Sequence, residues 1–209
     1  MYGWEVRGYS NVVRGFTISG SYSAGFDVRG NNNLIEGNEI FHMGQDGIWF
    51  FGSNNVYRDN YIHDILRVGY SGDPHADCFQ TWAQDREVTN TLIENNVCVH
   101  NRTWGSNQIF MVESRDGYID NLTIQGNMFY MYDTGETLLN INRKDGQYPI
   151  TNVYILDNYF ENVTGTGLAA IRMVSVNGGE IAYNVVVGYD QVFRNNGSTG
   201  ILVHDNELQ

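Results

Sequence analysis

One short pattern returns along the whole chain: an asparagine that leads into a brief strand-forming run. It stands at Asn38, Asn60, Asn96, Asn127, Asn158, Asn184 and Asn206, at separations of 22, 36, 31, 31, 26 and 22 residues. Self-similarity at such spacings marks stacked repeats, each of which buries its apolar side only against its neighbours. Apolar runs between turn residues precede the copies. Residues 25–30 (Gly-Phe-Asp-Val-Arg-Gly) lead into Asn31 and Asn38, and residues 47–52 (Gly-Ile-Trp-Phe-Phe-Gly) lead into Asn54 and Asn60. Each repeat thus holds about three short strands joined by turns. The recurring asparagine is expected at a tight bend in left-handed backbone geometry, its amides stacked into an internal ladder.

Windows rich in Ala, Leu, Glu and Lys are few, so long helices are not expected. Only two prolines interrupt the chain, while 24 glycines supply turns. The repeat is neither a strict six-residue period nor a Leu-x-x-Leu-x-Leu pattern. The expected fold is all-β, a right-handed parallel β-helix of about seven to eight coils forming one domain over residues 1–209. By this repeat grammar the chain resembles the pectate-lyase-like superfamily of parallel β-helices over nearly its whole length. No amphipathic helix precedes the first repeat, and the chain ends on Asn206-Glu207-Leu208-Gln209. Open solenoid ends imply a fragment, a subunit or a module of a larger assembly.

The formal net charge is −12, from 24 acidic and 12 basic residues. That disfavours a nucleic-acid partner and an anionic membrane surface. It leaves room for an anionic ligand, because a few local cations can dominate one groove. No stretch is long enough to insert into a membrane. The start, Met1 to Glu5, lacks a basic region followed by an apolar run. Cys78 and Cys98 are the only cysteines. They are expected as partly buried free thiols, a single bridge being the alternative. No His/Cys spacing suggests zinc. His42, His63 and His204 read as turn residues.

Period-2 alternation assigns the faces of the strands. With Ile48 and Phe50 inside, Trp49 and Phe51 point out. Phe79 and Thr81 inside put Gln80 and Trp82 out. Continuing with Ile109, Met111, Ile141, Ile171 and Met173 inside puts Phe110, Asn140, Asn142 and Arg172 out. His75 and Asp77 then edge the face above, and Arg143 and Lys144 continue it below. Aromatic, amide and guanidinium groups on one flat face make a carbohydrate-binding groove.

The longest interval, between Asn60 and Asn96, carries a loop at residues 64–76. Its segment Tyr70-Ser71-Gly72-Asp73-Pro74-His75 resembles the Tyr-x-x-Asp-Pro-His motif of mannuronan C5-epimerases, which are also parallel β-helix enzymes. The resemblance implies Tyr70 and His75 as proton donor and acceptor at C5 of a uronate, with Asp73 assisting. The residues that follow, from Ala76 to Thr81, depart from the epimerase pattern. The family's second histidine has no clear counterpart, since His100 follows an Asn turn.

Chemistry alone makes the same demands. Removing a C5 proton needs a base near neutral pKa, which His75 provides. The developing charge needs cations at the carboxylate. Arg172, Arg143 and Lys144 are candidates, as is a Ca²⁺ ion held by Asp73 and Asp77. Reprotonation by Tyr70 gives an epimerase, and loss of the O4 substituent gives a lyase. The expected catalytic set is Tyr70, Asp73, His75 and Asp77. Trp49, Gln80, Trp82, Phe110, Asn140, Arg143, Lys144 and Arg172 are expected to bind an acidic polysaccharide, in a secreted or cell-surface protein. Two other functions fit the sequence. One is a glycoside hydrolase using Asp73 and Asp77, with Asp46 as a further carboxylate. The other is a non-catalytic glycan-binding or structural module of a surface or phage fibre.

Overall fold

A computed structural model describes residues 3–65, 76–83, 87–100, 108–115, 117–132, 137–144, 147–165 and 167–209. Among these residues, 25 strands form three parallel sheets of eight, eight and nine strands. Apart from Gly52–Ser53, an extra strand of the third sheet that pairs with Val88–Glu94, each sheet takes one strand from every coil, so the chain climbs as an eight-coil parallel β-helix. The first sheet runs from Trp4–Val6 through Phe26–Val28, Ile48–Phe50, Phe79–Thr81, Phe110–Glu113, Thr137–Asn142 and Ala169–Val174 to Phe193–Asn196. The second begins at Thr17–Ser19 and the third at Val12–Arg14. No α-helix occurs among the described residues, and no helix is long and apolar enough to cross a membrane.

Strand residues alternate between core and surface, and equivalent core positions stack through the solenoid. Ile40, Ile62, Cys98, Phe129, Phe160 and Val186 form one such inward column in the second sheet. All six are fully buried. Phe129 and Phe160 stack with centroids 5.5 Å apart.

The asparagine ladder is present from Asn38 to Asn206. Asn96 shows the repeating unit. Its Oδ1 accepts the backbone N–H of Asn60 at 3.0 Å and the Asn60 side-chain amide at 2.9 Å. Its own N–H and amide donate to Asn127 Oδ1 at 2.9 and 3.0 Å. The amide also reaches the Tyr57 carbonyl at 2.9 Å. One side chain therefore satisfies backbone groups of neighbouring coils in a place water does not reach. A second, shorter ladder joins Asn11, Asn33 and Asn55.

Three expectations are corrected. The left-handed residue is not the ladder asparagine but the one before it. Gly37, Asp59, Asn95, Gly126, Asp157, Tyr183 and Asp205 have φ between 50° and 63°. The bend at that residue turns the next side chain inward, where it can stack.

Phe110, expected on the groove face, lies in the core with no exposed surface. It pairs in register with Phe79 and Leu139 and stacks on Phe79 at 5.2 Å. Met111 takes the outward place. In the run Ile109-Phe110-Met111-Val112 every residue is apolar, so alternation carries no phase there.

Cys78 and Cys98 are joined as a disulfide rather than free. Both belong to the same coil, Cys78 just before the Phe79–Thr81 strand and Cys98 within Val97–His100, and both are buried, their Cα atoms 6.4 Å apart.

Candidate functional site

The outer face of the first sheet carries one row of register-matched side chains: Asp27, Trp49, Gln80, Met111, Asn140, Arg172 and Arg194. Aromatic rings cluster at its upper half. Trp82 meets Trp49 edge-on at 5.2 Å and covers Phe51 at 4.8 Å. Phe51 does point outward, yet it is 1% exposed because Trp82 and the Arg29 guanidinium, 5.0 Å from its ring, lie over it.

The lower half is cationic. Arg172 and Arg194 are direct register partners on neighbouring strands, a placement that costs stability between like charges. Neither has an ion-pair partner among the described residues. The recorded side-chain bond of Arg172 is a 3.4 Å contact from Nε to Asn196 Oδ1. Arg143 and Lys144 follow the Thr137–Asn142 strand, and Lys144 pairs with Glu113 at 3.2 Å. Beside Arg172 in register is Asn140, whose buried Oδ1 has no hydrogen-bond partner. Two arginines in register and an unmet amide carbonyl thus stand together on a chain of charge −12.

Directly ahead of these strands lies a ladder of acidic and amide residues. Asp46 Oδ1 accepts the backbone N–H of Asp77 at 2.8 Å, and Asp77 Oδ1 accepts that of Gln108 at 3.0 Å. Gly47 follows Asp46 where the coils approach closely: a Cβ there would come within 2.6 Å of the Cys78 carbonyl oxygen. Asp46 Oδ2 accepts the Trp49 indole N–H, which fixes the ring's plane on the groove face. Both carboxylates are buried, at 1% and 0% exposure. Asp46 holds backbone and ring in place, and Asp77 holds backbone.

Burial pushes the Asp46 carboxyl up to about 7, against the opposing hydrogen bonds from Trp49 and Asp77. Between about pH 4 and 7 the folded chain keeps a proton here that the unfolded chain releases. Its contribution is fully present below the unfolded pKa and is lost as pH rises through about 7. Asp46→Asn is therefore expected to flatten the fall in stability between pH 5 and pH 8, by on the order of 2–4 kcal/mol. Urea unfolding at the two pH values measures this, and an unchanged slope in the variant would reject the assignment.

Of the residues singled out from the sequence, Trp49, Gln80, Trp82, Asn140 and Arg172 share the outer face, with Arg143 and Lys144 at its lower edge. Phe110 does not. Asp77 is an internal anchor. Tyr70, Asp73 and His75 lie outside the described residues. Ca²⁺ needs six to eight oxygen ligands. The acidic neighbour of Asp77 in this ladder, Asp46, already uses both oxygens, and Asp73, the other expected ligand, lies outside the described residues. Arg194 extends the row beyond the residues expected from the sequence, since Phe193 packs against the core in the last coil and turns Arg194 outward. His63 and His204 sit beside acidic residues, His204 between Asp205 and Glu180 at 2.8 Å each. Those two hydrogen bonds raise its pKa.

A family model described as a right handed beta helix region matches residues 2–208. No curated protein matches the chain. Among solved structures, the chain is similar to an alginate lyase from Paenibacillus sp. str. FPU-7. The identity is 15%, over 98% of this chain and 73% of that one, with a TM-score of 0.59. At that identity the likeness is one of fold.

Proposed function

The chain belongs to the family of right-handed β-helix regions, and on this scaffold we propose a carbohydrate-active protein that binds and processes a uronate-containing polysaccharide along the first sheet. The carrying observation is the register-stacked pair Arg172 and Arg194, without ion-pair partners among the described residues. Guanidinium groups bind carboxylates through paired donors, and Asn140 adds an acceptor for a sugar hydroxyl. The aromatic half of the row offers stacking faces to sugar rings. The fold likeness to an alginate lyase supports the same substrate class. The buried Cys78–Cys98 bond supports an oxidising, extracellular setting.

In this proposal the reaction begins when His75 removes the C5 proton of a uronate unit. The electron pair passes into the carboxylate as an enolate. Either Tyr70 returns a proton from the opposite face, which inverts C5, or the electron pair forms the C4–C5 double bond as the C4–O4 bond breaks and O4 takes its proton from Tyr70, which gives an unsaturated sugar. Arg172 stands three strands from Gln80, about 14 Å at the usual strand spacing. The arginine pair therefore holds neighbouring uronates of the polymer rather than the carboxylate of the reacting unit. Asp77, two residues beyond His75, anchors the foot of the loop.

The hydrolase alternative rests on Asp73, which lies outside the described residues, and on Asp77, which is buried with its Oδ1 accepting the Gln108 N–H. The test is a panel of alginate, pectate, polyglucuronate and glycosaminoglycans, with and without Ca²⁺. Unsaturated products are followed by ultraviolet absorbance, and C5 exchange in deuterated water by NMR. One of these polymers is expected to react, with His75→Ala at least about 100-fold slower. Binding without either signal would leave a glycan-binding module, and full activity in His75→Ala would remove that residue from the chemistry.

A further inference from the structure

The upper end of the groove differs in chemistry from the lower. A cavity of about 390 Å³ opens across the first three coils, lined by Glu5, Tyr22, Asp27, Gln45 and Trp49 among others. Its volume falls in the range of small-ligand pockets. Trp49 presents a ring held by its bond to Asp46, and Tyr22, 66% exposed, offers a second aromatic face. The charged groups of its lining are both acceptors. Glu5 and Asp27 are carboxylates, and Gln45 carries an amide whose oxygen accepts from Ser23 at 3.5 Å. Arg7 pairs with Glu5 at 2.5 Å, and Arg29 with Asp27 at 2.8 Å. These pairs leave free acceptor sites, since each carboxylate can accept about four hydrogen bonds. Arg7 is 73% exposed and Arg29 is drawn over Phe51.

Glu5 and Asp27 are each paired with an arginine, and Arg29 also lies 3.8 Å from Glu5, so the cavity offers a uronate carboxylate no unpaired cation. A sugar without charge would meet two aromatic faces and a ring of acceptors for its hydroxyl donors. We propose that this cavity is a subsite for an uncharged, hydroxyl-rich sugar, so that the polymer fitting the whole groove mixes neutral sugars with uronates. The loop at 64–76 belongs to the interval between the coil of Trp49 and that of Gln80. In chain order, the chemistry therefore falls between the neutral subsite and the arginine pair. This inference rests on the polysaccharide reading above, but its test separates the two.

The probes are hexamers of β-1,4-linked glucose, mannose and xylose, set against oligomannuronate and oligogalacturonate hexamers. Binding is measured by calorimetry and by saturation-transfer NMR. At least one neutral hexamer is expected to bind wild-type protein, about tenfold more weakly to Trp49→Ala and to Tyr22→Ala, and unchanged to Arg172→Ala/Arg194→Ala. Tyr22 is exposed, so that variant reports on the cavity even if Trp49→Ala folds poorly. Glu5→Gln/Asp27→Asn is expected to gain affinity for oligouronates. If oligouronates bind and no neutral hexamer does, the subsite is overturned and the uronate reading stands. If neither class binds, both fall.

Discussion

Asn127→Ala is expected to destabilise the protein by about 3–6 kcal/mol, among the largest losses available to a single polar residue. The side chain accepts the N–H and side-chain amide of Asn96 and donates to the Ile93 and Gln125 carbonyls and to Asn158 Oδ1. Truncation leaves several buried groups unmet at once, each costing about 1–3 kcal/mol before relaxation. Asn206 makes the same kind of bonds at the last coil, where the surroundings are partly exposed. Asn206→Ala is expected to cost about 1–2 kcal/mol, because water can replace what is lost. Urea midpoints of the two variants decide the matter. Equal losses would mean that the ladder contributes no special stability in the interior.

Phe110→Ala is the second large effect, about 3–5 kcal/mol. The ring lies between Phe79 at 5.2 Å and Phe50 at 5.8 Å, with Phe129 at 6.2 Å. Its removal opens a cavity at the middle of the solenoid, where stacked coils cannot collapse inward. A residue on the groove face would lose little stability and would instead weaken ligand binding. The chemical-denaturation midpoint therefore also tests the strand register. A loss under about 1 kcal/mol would return Phe110 to the surface.

The contrast between Phe110 and its neighbours explains what could be read from the chain. The asparagine spacing revealed the coils because each ladder residue must recur once per coil. Gln80, Asn140 and Arg172 fall on the outer face because apolar and polar residues alternate around them, and Trp49 joins them as the register partner of Gln80. Phe110 was misplaced where four apolar residues run together and periodicity loses its phase. The ladder of Asn11, Asn33 and Asn55 went unseen because it spans only the first three coils. The disulfide needs the distance between two sheets, which sequence spacing does not supply. Asp46 looked like a catalytic carboxylate by type. Its role as a backbone anchor appears only once the Asp77 N–H and the Trp49 indole are seen to meet it.

The most direct test of the central claim is the affinity of wild-type protein and Arg172→Ala/Arg194→Ala for a series of oligouronates, measured by calorimetry at two salt concentrations. The stacked arginines predict binding that weakens with salt and falls at least tenfold in the double variant, with little change in folding stability. Oligouronate binding of equal strength in both proteins would contradict the account, because the anion would then be held elsewhere on the chain.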